Sequence, residues 1–161
     1  MNTKNAPAVD ALHIEGKRGT SYPTDFAGPV QNRNKRAIGD HFGLTGYGVN
    51  LVELEPGTWS AQRHWHTHED ELVYVVSGEL TLVSDAGEQT LTPGMVAGFP
   101  AGIDDGHHLV NRSDAPASYL EIGDRCPEDE VFYPDINLEL RRDGKEELRF
   151  TRRDGTPYDK E

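Results

Sequence analysis

Between Gly43 and Gly123 the chain shows no helical period; short runs of alternating apolar and polar residues are instead cut every few positions by glycine and proline. Residues 47–54 read as a strand stopped by Glu55-Pro56-Gly57, where proline's fixed φ suits a turn. Further strands are predicted at 58 to about 66, 71–76, 79–83, 88–91, 95–99, 107–112 and 117–122. Turns at Ser77-Gly78, Ser84-Asp85-Ala86-Gly87, Thr92-Pro93-Gly94 and Ser113-Asp114-Ala115-Pro116, and a loop over 100–106, separate them. Strands this short bury their apolar faces only against one another, so the expected class is an all-β antiparallel barrel or sandwich.

The flanks differ. Residues 1–42 are polar, carry Pro7, Pro23 and Pro29, and predict an irregular N-terminal arm with one short strand near Leu12-His13-Ile14. Residues 43–124 form the barrel. Residues 125–161 predict a C-terminal tail packed on the barrel or on a partner subunit, with a helical turn or edge strand somewhere in 129–140. There Phe132, Tyr133, Ile136, Leu138 and Leu140 need cover. At 161 residues the whole is one domain's length of chain.

Charge excludes some partners. The 16 basic and 28 acidic residues leave −12, spread along the chain, so no basic surface is offered to nucleic acid or anionic lipid. The one basic-rich region, Arg141, Arg142, Lys145, Arg149, Arg152 and Arg153, is interleaved with Asp143, Glu146, Glu147 and Asp154 and reads as a solvated face. Cys126 alone makes no intrachain disulfide, no signal-like run opens the chain, and no run reaches the roughly 20 apolar residues of a membrane span. The expected setting is a soluble cytoplasmic protein.

Chemistry concentrates in Arg63-His64-Trp65-His66-Thr67-His68-Glu69-Asp70-Glu71, which holds three of the seven histidines. In an extended strand His64, His66 and His68 share one face and Trp65 takes the other. That is a metal-site pattern.

Two punctuated stretches then align: Gly57, His64, His66, Glu71 and Gly78, followed by Gly94, Pro100, Gly102, His107 and Asn111. Together they resemble the two motifs of the cupin superfamily, G-x5-H-x-H-x3–4-E-x6-G and G-x5-P-x-G-x2-H-x3-N. Two gaps are longer than the pattern, Gly57 to His64 and Gly102 to His107, and both extra lengths fall in turns. The resemblance implies a double-stranded β-helix, or jelly-roll barrel, holding one divalent transition metal on His64, His66, Glu71 and His107. Three imidazoles and a carboxylate without thiolate suit Fe, Mn, Ni, Zn or Cu. In an octahedral arrangement, four protein ligands leave two neighbouring positions for substrate.

His68 falls in the inter-strand turn and reads as a residue at the mouth of the site. His108 points opposite to His107, and the motif favours His107. Asn111 and the glycines read as turn and packing residues, and Cys126, followed by Pro127, as a bystander.

Three functions remain open. The first is a metal-dependent enzyme on a small molecule, foremost a dioxygenase using Fe or Mn. The second resembles the sugar-phosphate isomerase branch, which requires an Arg or Lys anchor. Arg63 is the only basic residue near the motif; it faces away by parity, and Asp104 and Asp105 are expected at the rim, which weighs against an anionic substrate. The third is a non-catalytic small-molecule-binding module. With Glu71, Val73 and Val75 inward, Leu72, Tyr74 and Val76 face out beside Trp65, an apolar face to be covered by a second copy, by the N-terminal arm or by the tail; the resemblance implies a homodimer.

Overall fold

The computed structural model describes residues 7–142 and 148–158. Among the described residues thirteen strands follow in chain order: β1 (Lys17–Arg18), β2 (Arg33–Ala37), β3 (Tyr47–Leu54), β4 (Trp65–His66), β5 (Glu71–Ser77), β6 (Leu80–Ser84), β7 (Gly87–Leu91), β8 (Val96–Phe99), β9 (His108–Val110), β10 (Ala117–Asp124), β11 (Val131–Tyr133), β12 (Leu138–Arg142) and β13 (Leu148–Thr151). Every pairing is antiparallel. One layer is a six-stranded sheet in the order β1-β2-β3-β10-β5-β8. Facing it are the sheets β13-β12-β11-β4 and β7-β6-β9, tied together by the bridge between His64 and His107. This is the expected jelly roll. No helix among the described residues is long and apolar enough to cross a membrane.

Alternation fills the core. Val52 and Leu54 of β3, Val73 and Val75 of β5 and Ala117 and Tyr119 of β10 meet Leu80, Leu91 and Leu109 from the facing layer. A second cluster, Val131, Tyr133 and Leu138, is covered by Tyr22 and Phe26 from the N-terminal segment and by Ile136, Leu140, Phe150 and Tyr158 of the tail. The tail thus packs on the barrel, because β11 pairs directly with β4. The stretch 129–140 supplies two strands, not a helical turn.

Three further expectations change. Leu12-His13-Ile14 is not a strand: Ala11–His13 is a 3-10 turn, capped by Asp10, whose Oδ1 accepts from the Leu12 N–H at 2.9 Å. Residues 58–66 form a strand only at Trp65–His66, because the Trp59 N–H turns to Pro29 O while Ser60 bonds Leu109 O, which divides the stretch between two partners. The N-terminal segment is no loose arm either. β2 pairs with five residues of β3, so the sheet begins well before residue 43. Its register sets Arg33 opposite Leu54 and Lys35 opposite Val52, on the inward face, while Asn34 and Arg36 bond Glu53 outside. The strand was invisible to an apolar count because long cationic stems occupy its inward positions. Asp143, Gly144, Lys145, Glu146 and Glu147 lie outside the described residues.

The turn Ser77-Gly78 gives a stability prediction. Gly78 has φ +74°, and a Cβ there would meet Ala117 Cα and Cβ at 2.7 Å and Pro116 O at 2.8 Å. Gly78→Ala combines left-handed backbone strain with overpacking and is expected to destabilise the fold by about 2–5 kcal/mol. A shift below about 1 kcal/mol in urea unfolding would mean that the turn relaxes freely.

Candidate metal centre

The barrel wall brings four predicted residues to one point. His64 bridges to His107, His66 ends β4 and Glu71 begins β5. Glu71 Oε2 lies 3.3 Å from His107 Nε2, 3.7 Å from His66 Nε2 and 3.9 Å from His64 Nε2. Three imidazoles therefore converge through the same nitrogen on one carboxylate oxygen. The donor atoms of His64, His66 and Glu71 all lie within 4.8 Å of one another, a spacing that one cation can draw together.

Hydrogen bonds orient two of the rings. His64 Nδ1 is 2.8 Å from Gln62 O, which can only accept, so the proton sits on Nδ1 and the Nε2 lone pair faces the cluster. His66 Nδ1 donates in the same sense to Asp129 Oδ2 at 2.7 Å, an arrangement that also raises the basicity of a ligating nitrogen. The other Asp129 oxygen accepts from the backbone N–H groups of His68 at 2.8 Å and Glu69 at 3.2 Å. The His107 ring stacks flat on Phe99 at 3.4 Å, and its Nδ1 is buried with no partner among the described residues.

The electrostatics suit a cation. Burial pulls the His64 pKa down to about 3, so this ring is neutral at physiological pH. Burial also depresses His66, but the hydrogen bond and charge of Asp129 override it and leave a net rise. Burial alone would raise Glu71; its hydrogen bond with His107 and the neighbouring imidazoles hold it instead at about 2, as a carboxylate. Neutral or orientable imidazoles around an ionised carboxylate fit one divalent transition metal.

Other sequence expectations divide. His68 is exposed, bonded through Nδ1 to Thr67 Oγ1, and outside the cluster. His108 bonds Ala61 O at 3.0 Å and meets Trp59 edge-on. Asn111 is fully buried, donating to Leu54 O and Ala115 O, each at 2.8 Å. Arg63 does turn away, paired with Asp135 at 2.7 Å and also with Asp85. Trp65 is not beside the exposed face of β5; it stacks on Phe132 at 4.9 Å under the tail.

The cluster forms one wall of a chamber of about 190 Å³, which adjoins an outer vestibule of about 620 Å³ through the shared residues Lys35, His66, Glu71 and Glu121. Arg63 is not the nearest cation: Arg33 and Lys35, both from β2, line the chamber. Glu121 projects from β10 beside them, accepting from Lys35 Nζ at 2.6 Å and Asn50 Nδ2 at 3.0 Å. Asp104 lines neither space, while Asp105 lines a smaller cleft of about 70 Å³ beside His66 and His107; the acids of the vestibule include Glu69, Asp70 and Asp124. Arg33, Lys35, Glu121 and Asp129 were thus missed from sequence. Only Glu121 carried a usable signal, its inward parity with Ala117 and Tyr119 on an apolar strand.

Comparison with known proteins agrees with the fold. A family model described as the cupin domain matches residues 50–123. A crystal structure from Silicibacter pomeroyi, described as a sugar phosphate isomerase of the cupin superfamily, is 42% identical with a TM-score of 0.89, covering 95% of this chain and 97% of that one. A protein from Acidithiobacillus ferrooxidans, assigned provisionally as a sugar phosphate isomerase, is 32% identical with a TM-score of 0.71, over 81% and 82% of the two chains. The polyketide cyclase RemF of Streptomyces resistomycificus, 17% identical with a TM-score of 0.58 over 74% and 79%, shares the fold alone. No curated protein matches the sequence.

Proposed function

The chain belongs to the cupin superfamily, and on that premise we propose that it is a metal-dependent isomerase acting on a small sugar phosphate. The observation that carries the reading is the pair Lys35 and Glu121, a cation and a carboxylate 2.6 Å apart in the chamber that the imidazole cluster walls. From sequence, Arg63 facing away and the acids Asp104 and Asp105 at the rim weighed against an anionic substrate; β2 supplies two cations in the chamber, and Asp105 lines a separate cleft. Two relatives above 30% identity carry sugar phosphate isomerase descriptions, which supports the same choice over a dioxygenase.

His64, His66, Glu71 and His107 would hold one divalent metal, Fe, Mn, Ni or Zn by donor chemistry. Such an ion supplies Lewis acidity at a carbonyl oxygen. Glu121 takes the proton from the hydroxyl-bearing carbon next to the carbonyl and returns it to the former carbonyl carbon. The hydroxyl proton passes to the former carbonyl oxygen, so the product is an isomer with nothing gained or lost. Lys35 and Asn50 fix the carboxylate.

The test is to incubate the metal-loaded protein with aldose phosphates in deuterated water and follow the products by NMR. Ketose formation with deuterium next to the carbonyl, and no oxygen uptake, is the expected result. Oxygen consumption without isomer would replace this reading with a dioxygenase; neither reaction would favour a binding module.

The reading includes a homodimer. Leu72, Tyr74 and Val76 of β5 and Val96 of β8 are 42%, 40%, 45% and 60% exposed on the outer face of the six-stranded sheet, where Tyr74 sits opposite Val96. An apolar sheet face of this extent is normally covered. Sedimentation should give a dimer at micromolar concentration, and Tyr74→Glu should shift it to monomer; a monomeric wild type would remove the dimer from the proposal.

A further inference from the structure

β2 carries three cations. Lys35 pairs with Glu121 and Arg36 with Glu53, but Arg33 is in no ion pair among the described residues. Its Nη1 donates to Ser60 O at 2.6 Å, while Nε is buried without a partner. A half-buried guanidinium without a counter-ion is unfavourable unless something else meets it. A second group is the Tyr119 hydroxyl, on a side chain 1% exposed: Ser60 is its polar neighbour, but the two form no hydrogen bond of normal geometry. Both residues line the chamber that contains the imidazole cluster.

We propose that Arg33 and Tyr119 form an oxyanion subsite at the inner end of the chamber, which holds the anionic group of the substrate while its carbonyl end faces the cluster. With Nη1 committed to Ser60, the edge left for a ligand is Nε with Nη2, two parallel donors that match two oxygens of a phosphate or carboxylate. Tyr119 adds a third donor. The charges fit. Arg33 and Lys35 balance Glu71 and Glu121 in the chamber lining, so a divalent ion at the cluster leaves a surplus of two positive charges for an anion to neutralise. The vestibule is the wrong place for that anion, because Lys35 and Arg125 face six carboxylates there, among them Glu69, Asp70 and Asp124. A chamber of about 190 Å³ has the space of about six waters at roughly 30 Å³ each, room for a compact anionic group beside the cluster.

This inference rests on the isomerase reading for the identity of the substrate, but its test measures binding, not turnover. Inorganic phosphate and acetate are titrated calorimetrically into the metal-loaded full-length protein and into the R33M and Y119F variants. R33M is expected to lose about 10- to 100-fold in affinity and Y119F about tenfold. Arg33-dependent binding of phosphate assigns the subsite to a phosphate ester, and Arg33-dependent binding of acetate alone assigns it to a carboxylate. Wild type that binds neither anion, or affinities unchanged in both variants, overturns the subsite. Should R33M fail to fold, Y119F, which keeps the ring in the core, decides the matter by the same criterion. Arg33-dependent binding without any isomer formed would sink the isomerase and leave the subsite standing.

Discussion

His66→Ala is expected to leave the protein without stoichiometric divalent metal and, with it, without turnover. His66 is one of three imidazoles whose Nε2 atoms lie 3.3–3.9 Å from Glu71 Oε2; of its neighbours, His68 is exposed and bonded to Thr67, and His108 is bonded to Ala61 O and packed on Trp59. The supporting bond of Asp129 to His66 Nδ1 gives an internal scale. Losing such a support costs about 10- to 100-fold in metal affinity, so Asp129→Asn should fall in that range and His66→Ala well beyond it. Metal content by plasma emission after dialysis checks both. An alanine variant with full occupancy would mean that the four side chains do not hold the ion, and equal loss in both variants would mean that Asp129 acts on the fold instead of on the ring.

The reason this cluster was legible in sequence, and its surroundings were not, is locality. His64 and His66 stand two apart on extended chain, Glu71 opens the next strand, and the turns that fix their register are written in glycine and proline nearby. His107 lies on a different strand, and only its place in a second punctuated motif tied it to the first. Asp129 could not be found this way: it reaches His66 across 63 residues, through the pairing of β11 with β4, and nothing local in either segment encodes that pairing. β2 was hidden for a different reason. Two of its inward positions, Arg33 and Lys35, break the rule that buried faces are apolar, because the chamber they line is polar. A strand that builds a site looks like a loop to any method that counts hydrophobic residues. The β-hairpin strands from β5 to β8 obey the rule and were placed within a residue or two at each end.

Glu121→Gln is the second large effect and the sharpest test of the proton transfer. The amide keeps the shape of the side chain but can neither take nor return a proton. Removing a positioned acid–base group lowers turnover by about 10²- to 10⁴-fold, and kcat should fall by that factor. KM and metal content should stay close to wild type, since Glu121 is not among the four clustered side chains. Lys35→Met separates chemistry from placement: it leaves the carboxylate present but removes its 2.6 Å partner, so kcat should fall less than in the glutamine variant. The decisive readout is deuterium exchange at the carbon next to the carbonyl, which depends on proton removal and not on product release. Exchange at the wild-type rate in Glu121→Gln would assign the base to another group, and a parallel loss of metal would make Glu121 a prop of the barrel wall.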